Sequence, residues 1–151
     1  MLISSMLSPA RTRAKIEGNS KKRVLQTLAS LFAEQVDGLD ADKLFQSFLN
    51  RERLGSTGIG EGIAIPHCRF DTGGKTYAAC MSLNDPVDFD AIDSKPVDIV
   101  FAMLVPEDAE QAHLEALAQL AEAMHEARYV KGLRKAGTDS QLYDAAVASS
   151  H

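Results

Sequence analysis

Val97-Asp98-Ile99-Val100-Phe101-Ala102-Met103-Leu104-Val105 is the stretch on which the fold turns. Apolar residues occupy both the odd and the even positions of this run, and only Asp98 interrupts it. A strand with one solvated face alternates; one that is apolar on both sides must be covered on both. The run therefore predicts a central strand between two layers of helix. Working back toward the N-terminus, residues 77–83 read as a second strand after the Gly73-Gly74 turn, and residues 63–65 as a short β-branched one closed by Pro66. Working forward, a long helix is expected over 109–127, with Leu114, Leu117, Leu120, Ala121 and Met124 inward. Short helices are expected over 130–135 and 139–148.

The first half of the chain supplies the other layer. Ser20 can cap a helix whose apolar stripe is Val24, Leu25, Leu28, Leu31 and Phe32, broken by Asp37-Gly38. Asp40 opens a second helix with Leu44, Phe45, Phe48 and Leu49 on one face, running to about Arg53 and stopping at Gly55. Helices lead, strands sit in the middle and helices finish. The fold class is α/β: a single-domain, three-layer sandwich with a mixed, mainly parallel sheet flanked by helices. One domain is expected over residues 1–151, with residues 1–15 as a loosely ordered N-terminal segment.

A chain of 151 residues can bury enough surface to fold without disulfides or a structural metal. Cys68 and Cys80 are too few for a disulfide scaffold and read as free thiols in a reducing compartment. The first residues lack the apolar run and charge order of a signal peptide, and no apolar stretch approaches the ~18 residues that cross a membrane. A cytoplasmic protein without membrane insertion is expected. Net charge is −5, but residues 1–69 carry ten Lys/Arg against seven Asp/Glu, whereas the remainder carries six against fourteen. Nucleic-acid binding is not expected, because counterion release needs a dense basic surface. The clusters Arg11, Arg13, Lys15 and Lys21, Lys22, Arg23 read as a solvated loop and a helix start.

The chemistry lies in Gly55-Ser56-Thr57-Gly58-Ile59-Gly60-Glu61-Gly62-Ile63-Ala64-Ile65-Pro66-His67. Gly55 and Gly60 have the spacing that opens a phosphate-binding P-loop, but Glu61 stands where lysine is required. The dinucleotide fingerprint fails as well, since Gly58, Gly60 and Gly62 lead into a strand rather than a helix. The glycines are left as turns needing positive φ, or as a wall that a partner's backbone approaches closely. Pro66 fixes its own φ and pushes Ile65 into an extended conformation, so His67 is presented from a stiffened strand end. Arg51 precedes the loop, and His113 lies at the start of the helix after the central strand, where free N–H groups suit an anion. Two histidines and an arginine around an anion-friendly surface fit phosphoryl transfer to an imidazole nucleophile. Zinc at His67, Cys68, Cys80 and His113 is disfavoured because no pair has ordinary ligand spacing. A cysteine–histidine hydrolase has nothing beyond the residue types, and His125 and His151 read as surface residues. Ile59, Ile63 and Phe70 flank His67 in sequence and are expected to form an apolar docking rim.

Arg51-Glu52, the glycine run and Gly62-Ile63-Ala64-Ile65-Pro66-His67 resemble the signature of the enzyme IIA domains of the bacterial phosphotransferase system, fructose/mannitol type. The resemblance covers nearly the whole chain. Phe89-Asp90-Ala91-Ile92-Asp93, Pro96-Val97-Asp98, Leu104-Val105-Pro106 and His113-Leu114 are most similar to its nitrogen-regulatory branch. The resemblance implies a phosphocarrier. His67 would take a phosphoryl group, on Nε2, from the phosphohistidine of an HPr-like carrier; His113 would bond the phosphate and Arg51 stabilise charge. It implies no metal or nucleotide cofactor. A regulatory member would use its phosphorylation state to choose protein targets, such as potassium transport systems or sensor kinases. A sugar-transport member would pass the phosphate to a separate IIB component. With 151 residues leaving no room for IIB or IIC domains, regulation is favoured. Cys68 departs from the small residue, often glycine, expected beside the histidine.

Overall fold

The computed structural model describes residues 3–109 and 111–148. After two 3₁₀ turns, Ile3–Ser5 and Pro9–Arg11, come strand β1 (Thr12–Ile16) and helices α1 (Lys21–Gln35) and α2 (Ala41–Arg53). Strands β2 (Gly58–Gly60), β3 (Ile63–Ala64), β4 (His67–Phe70), β5 (Tyr77–Val87) and β6 (Val97–Pro106) follow. Helices α3 (Gln111–Ala123), α4 (Ala127–Lys135) and α5 (Asp139–Ala148) close the chain. The sheet runs β1-β5-β6-β3-β2, with β4 also paired to β6.

The central position of β6 follows from its composition. Ile99, Phe101 and Met103 are shut into a core under α3, α4 and α5, while Val97, Val100, Ala102 and Leu104 are shut into another under α1 and α2. Each fully buried side chain of this size is worth about 1.5–3 kcal/mol, which is what holds three layers together. On the α1/α2 side, Phe32 and Phe48 stack with centroids 6.3 Å apart. Both helices start as their sequence dictates: the Ser20 hydroxyl accepts from the Arg23 N–H, and the Asp40 carboxylate from Asp42 and Lys43.

β5 runs antiparallel to β6, and β1 runs parallel to β5. β3 and β4 are two pieces of one parallel edge along β6, Ile63 facing Ile99 and His67 facing Met103. The interruption falls at Ile65-Pro66, where proline has no N–H to give the ladder. The sheet is thus mixed, with parallel pairing at β1, β3 and β4.

Four expectations need correction. Residues 3–16 are not a loose segment: Ile3, Met6 and Leu7 are buried, and β1 joins the sheet. Arg11 fastens it, donating from Nε to Ala78 O at 2.9 Å and from Nη2 to Met6 O at 2.8 Å, with its guanidinium 5.2 Å from the Tyr77 ring centroid. Gly58–Gly60 is a strand rather than loop, turning through Glu61-Gly62 into β3 with φ of 58° and 80°, the left-handed pair that two-residue hairpins need. The helix expected over 109–127 ends at Ala123, and α4 begins at Ala127. Its inner row is Ala116, Leu120 and Met124, so Leu114 faces outward. No helix among the described residues is long and apolar enough to cross a membrane.

Candidate active site

The break at Pro66 determines how His67 is held. Met103 N–H bonds Pro66 O and Ile65 N–H bonds Thr57 O, leaving the Ile65 carbonyl turned out of the ladder. The His67 ring folds back onto it, Nδ1 to Ile65 O at 2.7 Å. A carbonyl can only accept, so Nδ1 carries the proton and Nε2 keeps the lone pair. Burial pushes the imidazole pKa below its ordinary 6.5. The Ile65 bond opposes that shift, the Arg51 charge adds to it, and the Glu52 charge works against it. His67 is therefore a neutral, half-buried imidazole at neutral pH, with a fixed tautomer.

Alternation along β4 sets the two sides apart. Cys68 points into the α1/α2 core opposite Leu104, so His67 lies on the Met103 face, under which α3 packs. His113, the third residue of α3, is on this side too. Its Nδ1 is hydrogen-bonded to Thr76 Oγ1, a buried hydroxyl just before β5. Ala78, two residues further, faces Met103 across from His67. The two histidines thus occupy the same end of the same sheet face, with His113 bonded to Thr76.

Arg51 approaches from the other layer, in the last turn of α2. Its Nη1 donates to Gly55 O at 2.9 Å, so the guanidinium is tied to the glycine loop within electrostatic reach of His67. Glu52, which the sequence motif includes without a role of its own, organises the same loop. Its carboxylate accepts from Thr57 N–H at 3.0 Å and Thr57 Oγ1 at 2.5 Å, and pairs with Lys21 Nζ at 2.9 Å. Lys21 is consequently part of the framework rather than a solvated helix start.

Other candidates are separated by the fold. Cys68 and Cys80 sit in the cores on opposite faces of the sheet, and burial pushes each thiol up to about 12. Neither is a ready nucleophile or ligand. No three His, Cys, Asp or Glu side chains gather in a metal-binding group among the described residues. His125 is exposed, and His151 lies outside the described residues. Of the expected docking rim, Ile63 is fully buried, and Ile59 and Phe70 are half-buried against the cores. Among the described residues, the large apolar side chains left in solvent are Leu54, Ile92 and Leu114. Leu54 follows Arg51 by three residues, and Leu114 adjoins His113.

His67 thus has Nδ1 committed to backbone, while Nε2 has no hydrogen bond among the described residues and keeps a lone pair to offer. Residues 5–146 match the family described as phosphoenolpyruvate-dependent sugar phosphotransferase system, EIIA 2, and the chain belongs to that family of phosphotransferase proteins. Within it the chain resembles nitrogen regulatory proteins. It is 44% identical over 145 residues to the nitrogen regulatory protein of Pseudomonas aeruginosa, covering 96% of this chain and 94% of that one. It is 39% identical over 142 residues to that of Escherichia coli strain K12, covering 93% and 86%. The crystal structure of the nitrogen regulatory protein IIA-Ntr from Neisseria meningitidis superposes with a TM-score of 0.87 at 33% identity, covering 95% of this chain and 97% of that one.

Proposed function

We infer that this chain is a phosphohistidine carrier of the nitrogen-regulatory kind, accepting a phosphoryl group on His67 Nε2 from an HPr-like protein. The observation that carries the reading is the Nδ1–H bond to Ile65 O, which leaves Nε2 as the nucleophilic nitrogen of a neutral ring. In the transfer, the Nε2 lone pair attacks phosphorus as the donor's N–P bond breaks, and that bond's electron pair returns to the donor imidazole. No proton has to leave His67. Positive charge developing on its ring is met by the Ile65 carbonyl, already in place. Phosphoryl oxygens only accept, so His113 serves with its proton on Nε2, and the Thr76 hydroxyl donates to Nδ1. Arg51 adds positive charge from the loop side.

The relatives named as nitrogen regulatory proteins favour a regulatory output, in which phosphorylation selects protein targets such as potassium transport systems or sensor kinases, over relay to a IIB component. The test is incubation with phosphoenolpyruvate, the upstream kinase and the carrier. An acid-labile, base-stable adduct is expected on the wild type and none on His67→Ala. Labelling that persists in the variant removes His67 from the reaction. Affinity capture comparing His67→Ala with His67→Asp then reads the targets.

A further inference from the structure

The acidic second half of the chain concentrates its positive charge in one place. Of the six Lys/Arg in residues 70–151, four fall within the nine residues of α4: Arg128, Lys131, Arg134 and Lys135. Arg134 is committed, with Nε and Nη2 on the Asp98 carboxylate at 2.9–3.1 Å and Nη2 on Glu61 O at 2.6 Å. Gly62 makes room for it, since a Cβ there would lie 2.6 Å from Arg134 Nη2. Arg128, Lys131 and Lys135 are exposed, and among the described residues none of their side chains has an ion pair or hydrogen bond.

Helix energetics do not explain this row. Cations in the last turn suit the helix dipole, which accounts for Lys135, but Arg128 stands in the first turn, where a cation is disfavoured. Like charges at i, i+3 and i+4 repel. Gly132, inside the helix, lowers its stability further and leaves open space between these side chains, with nothing within 4 Å of where its Cβ would be.

Together these residues border two adjoining clefts. One, of about 420 Å³, has an apolar floor of Ile63, Met124 and Val130 with Lys131, Arg134 and Lys135 at its rim. The second, of about 430 Å³, shares Lys131 and Lys135 and adds Arg128 and Gly132. These volumes lie in the range of small-ligand sites. Glu61 also lines the first cleft, but its carboxylate is paired with Lys95 at 3.5 Å. The cleft lies at the Ile63–Ile99 end of the sheet, whereas His67 faces Met103, four residues further along β6.

We propose that the α4 cleft is a second binding site, distinct from His67, for a small organic polyanion: a compound with two or more phosphate or carboxylate groups and an apolar body. The unpaired ammonium groups meet the anionic groups, and the floor covers the rest of the molecule. Phosphates and carboxylates share this chemistry, and two probes separate them.

The test is titration of the full chain, by calorimetry and backbone-amide NMR at fixed ionic strength, with pyrophosphate and in parallel with citrate. The expected result is saturable binding of at least one probe, with shifts centred on residues 124–135 and Ile63. Pyrophosphate alone marks a phosphate site, citrate alone a polycarboxylate site. Lys131→Ala with Lys135→Ala, both exposed, should weaken binding about tenfold or more while the fold is retained by thermal melt. His67→Ala should bind as the wild type does, so loss of phosphorylation and loss of this site are read separately. Shifts centred on His67 and His113, a non-saturating response that sodium chloride reproduces, or unchanged affinity in the double variant would each overturn the assignment. Preference for poly-glutamate or a DNA duplex over both probes would overturn it as well, making the row a macromolecular surface.

Discussion

Thr76→Val isolates the contribution that sequence reading did not anticipate. Valine keeps the shape of the buried threonine and suits the strand start, but it cannot hydrogen-bond His113 Nδ1. A neutral hydrogen bond is worth about 0.5–1.5 kcal/mol net, so losing the tautomer-setting bond should slow phosphoryl transfer about 2- to 12-fold. His113→Ala deletes the group that would contact the phosphate. A hydrogen bond to a charged partner is worth about 1.5–3 kcal/mol, or about 12- to 150-fold. Because Thr76 acts only through His113, the double variant should be no slower than His113→Ala alone. Rapid-quench measurement of transfer in both directions, on wild type, the two single variants and the double, gives the coupling directly. Full additivity of the two effects, or Thr76→Val at wild-type rates, would refute the chain from hydroxyl to imidazole to phosphate. Thermal melts on all four proteins separate a transfer defect from a folding one.

His67 should titrate below 6.5 by ring NMR, because burial disfavours its cation. Above 6.5 it adds no pH dependence, while below it the unfolded chain takes up the proton first, so stability falls as pH drops toward the folded pKa. Arg51→Ala should move the midpoint upward, and a wild-type midpoint above 6.5 contradicts the neutral-nucleophile reading. Leu54→Glu and Leu114→Glu place charge on exposed apolar side chains beside Arg51 and His113, and each should slow transfer from the carrier by about tenfold, about 1.4 kcal/mol. Unchanged transfer in both folded variants would move the docking surface elsewhere. Lys21→Ala strips the partner from a Glu52 carboxylate whose side chain is only 6% exposed, while Lys21 itself is 22% exposed. The cost should fall between an exposed and a buried pair, about 1–2 kcal/mol, lowering Tm by about 2–8 °C; no change in melting would mean that Thr57 alone holds Glu52.

What could be read from the sequence is what short-range chemistry fixes. β6 announces itself because every neighbour it needs is apolar, and α1 and α2 carry their own caps at Ser20 and Asp40. The placement of His67 at the start of a strand was legible for the same local reason, as Pro66 breaks the ladder one residue before it. β1 was not: Thr12, Ala14 and Ile16 alternate with Arg13 and Lys15, but five residues with one large apolar side chain are a weak signal, and the segment is fastened to the sheet through Arg11, whose partners Ala78 and Tyr77 stand 67 and 66 residues away. Thr76 is opaque in the same way: a threonine after a glycine turn acquires meaning only when α3 brings His113 onto it. Leu114 shows the converse error, since its spacing fits the apolar stripe of α3, yet the helix rolls Ala116, Leu120 and Met124 onto the sheet instead. That roll leaves Leu114 in solvent beside His113. On the carrier reading proposed above, the same roll is what leaves an apolar side chain next to His113 for a transient partner.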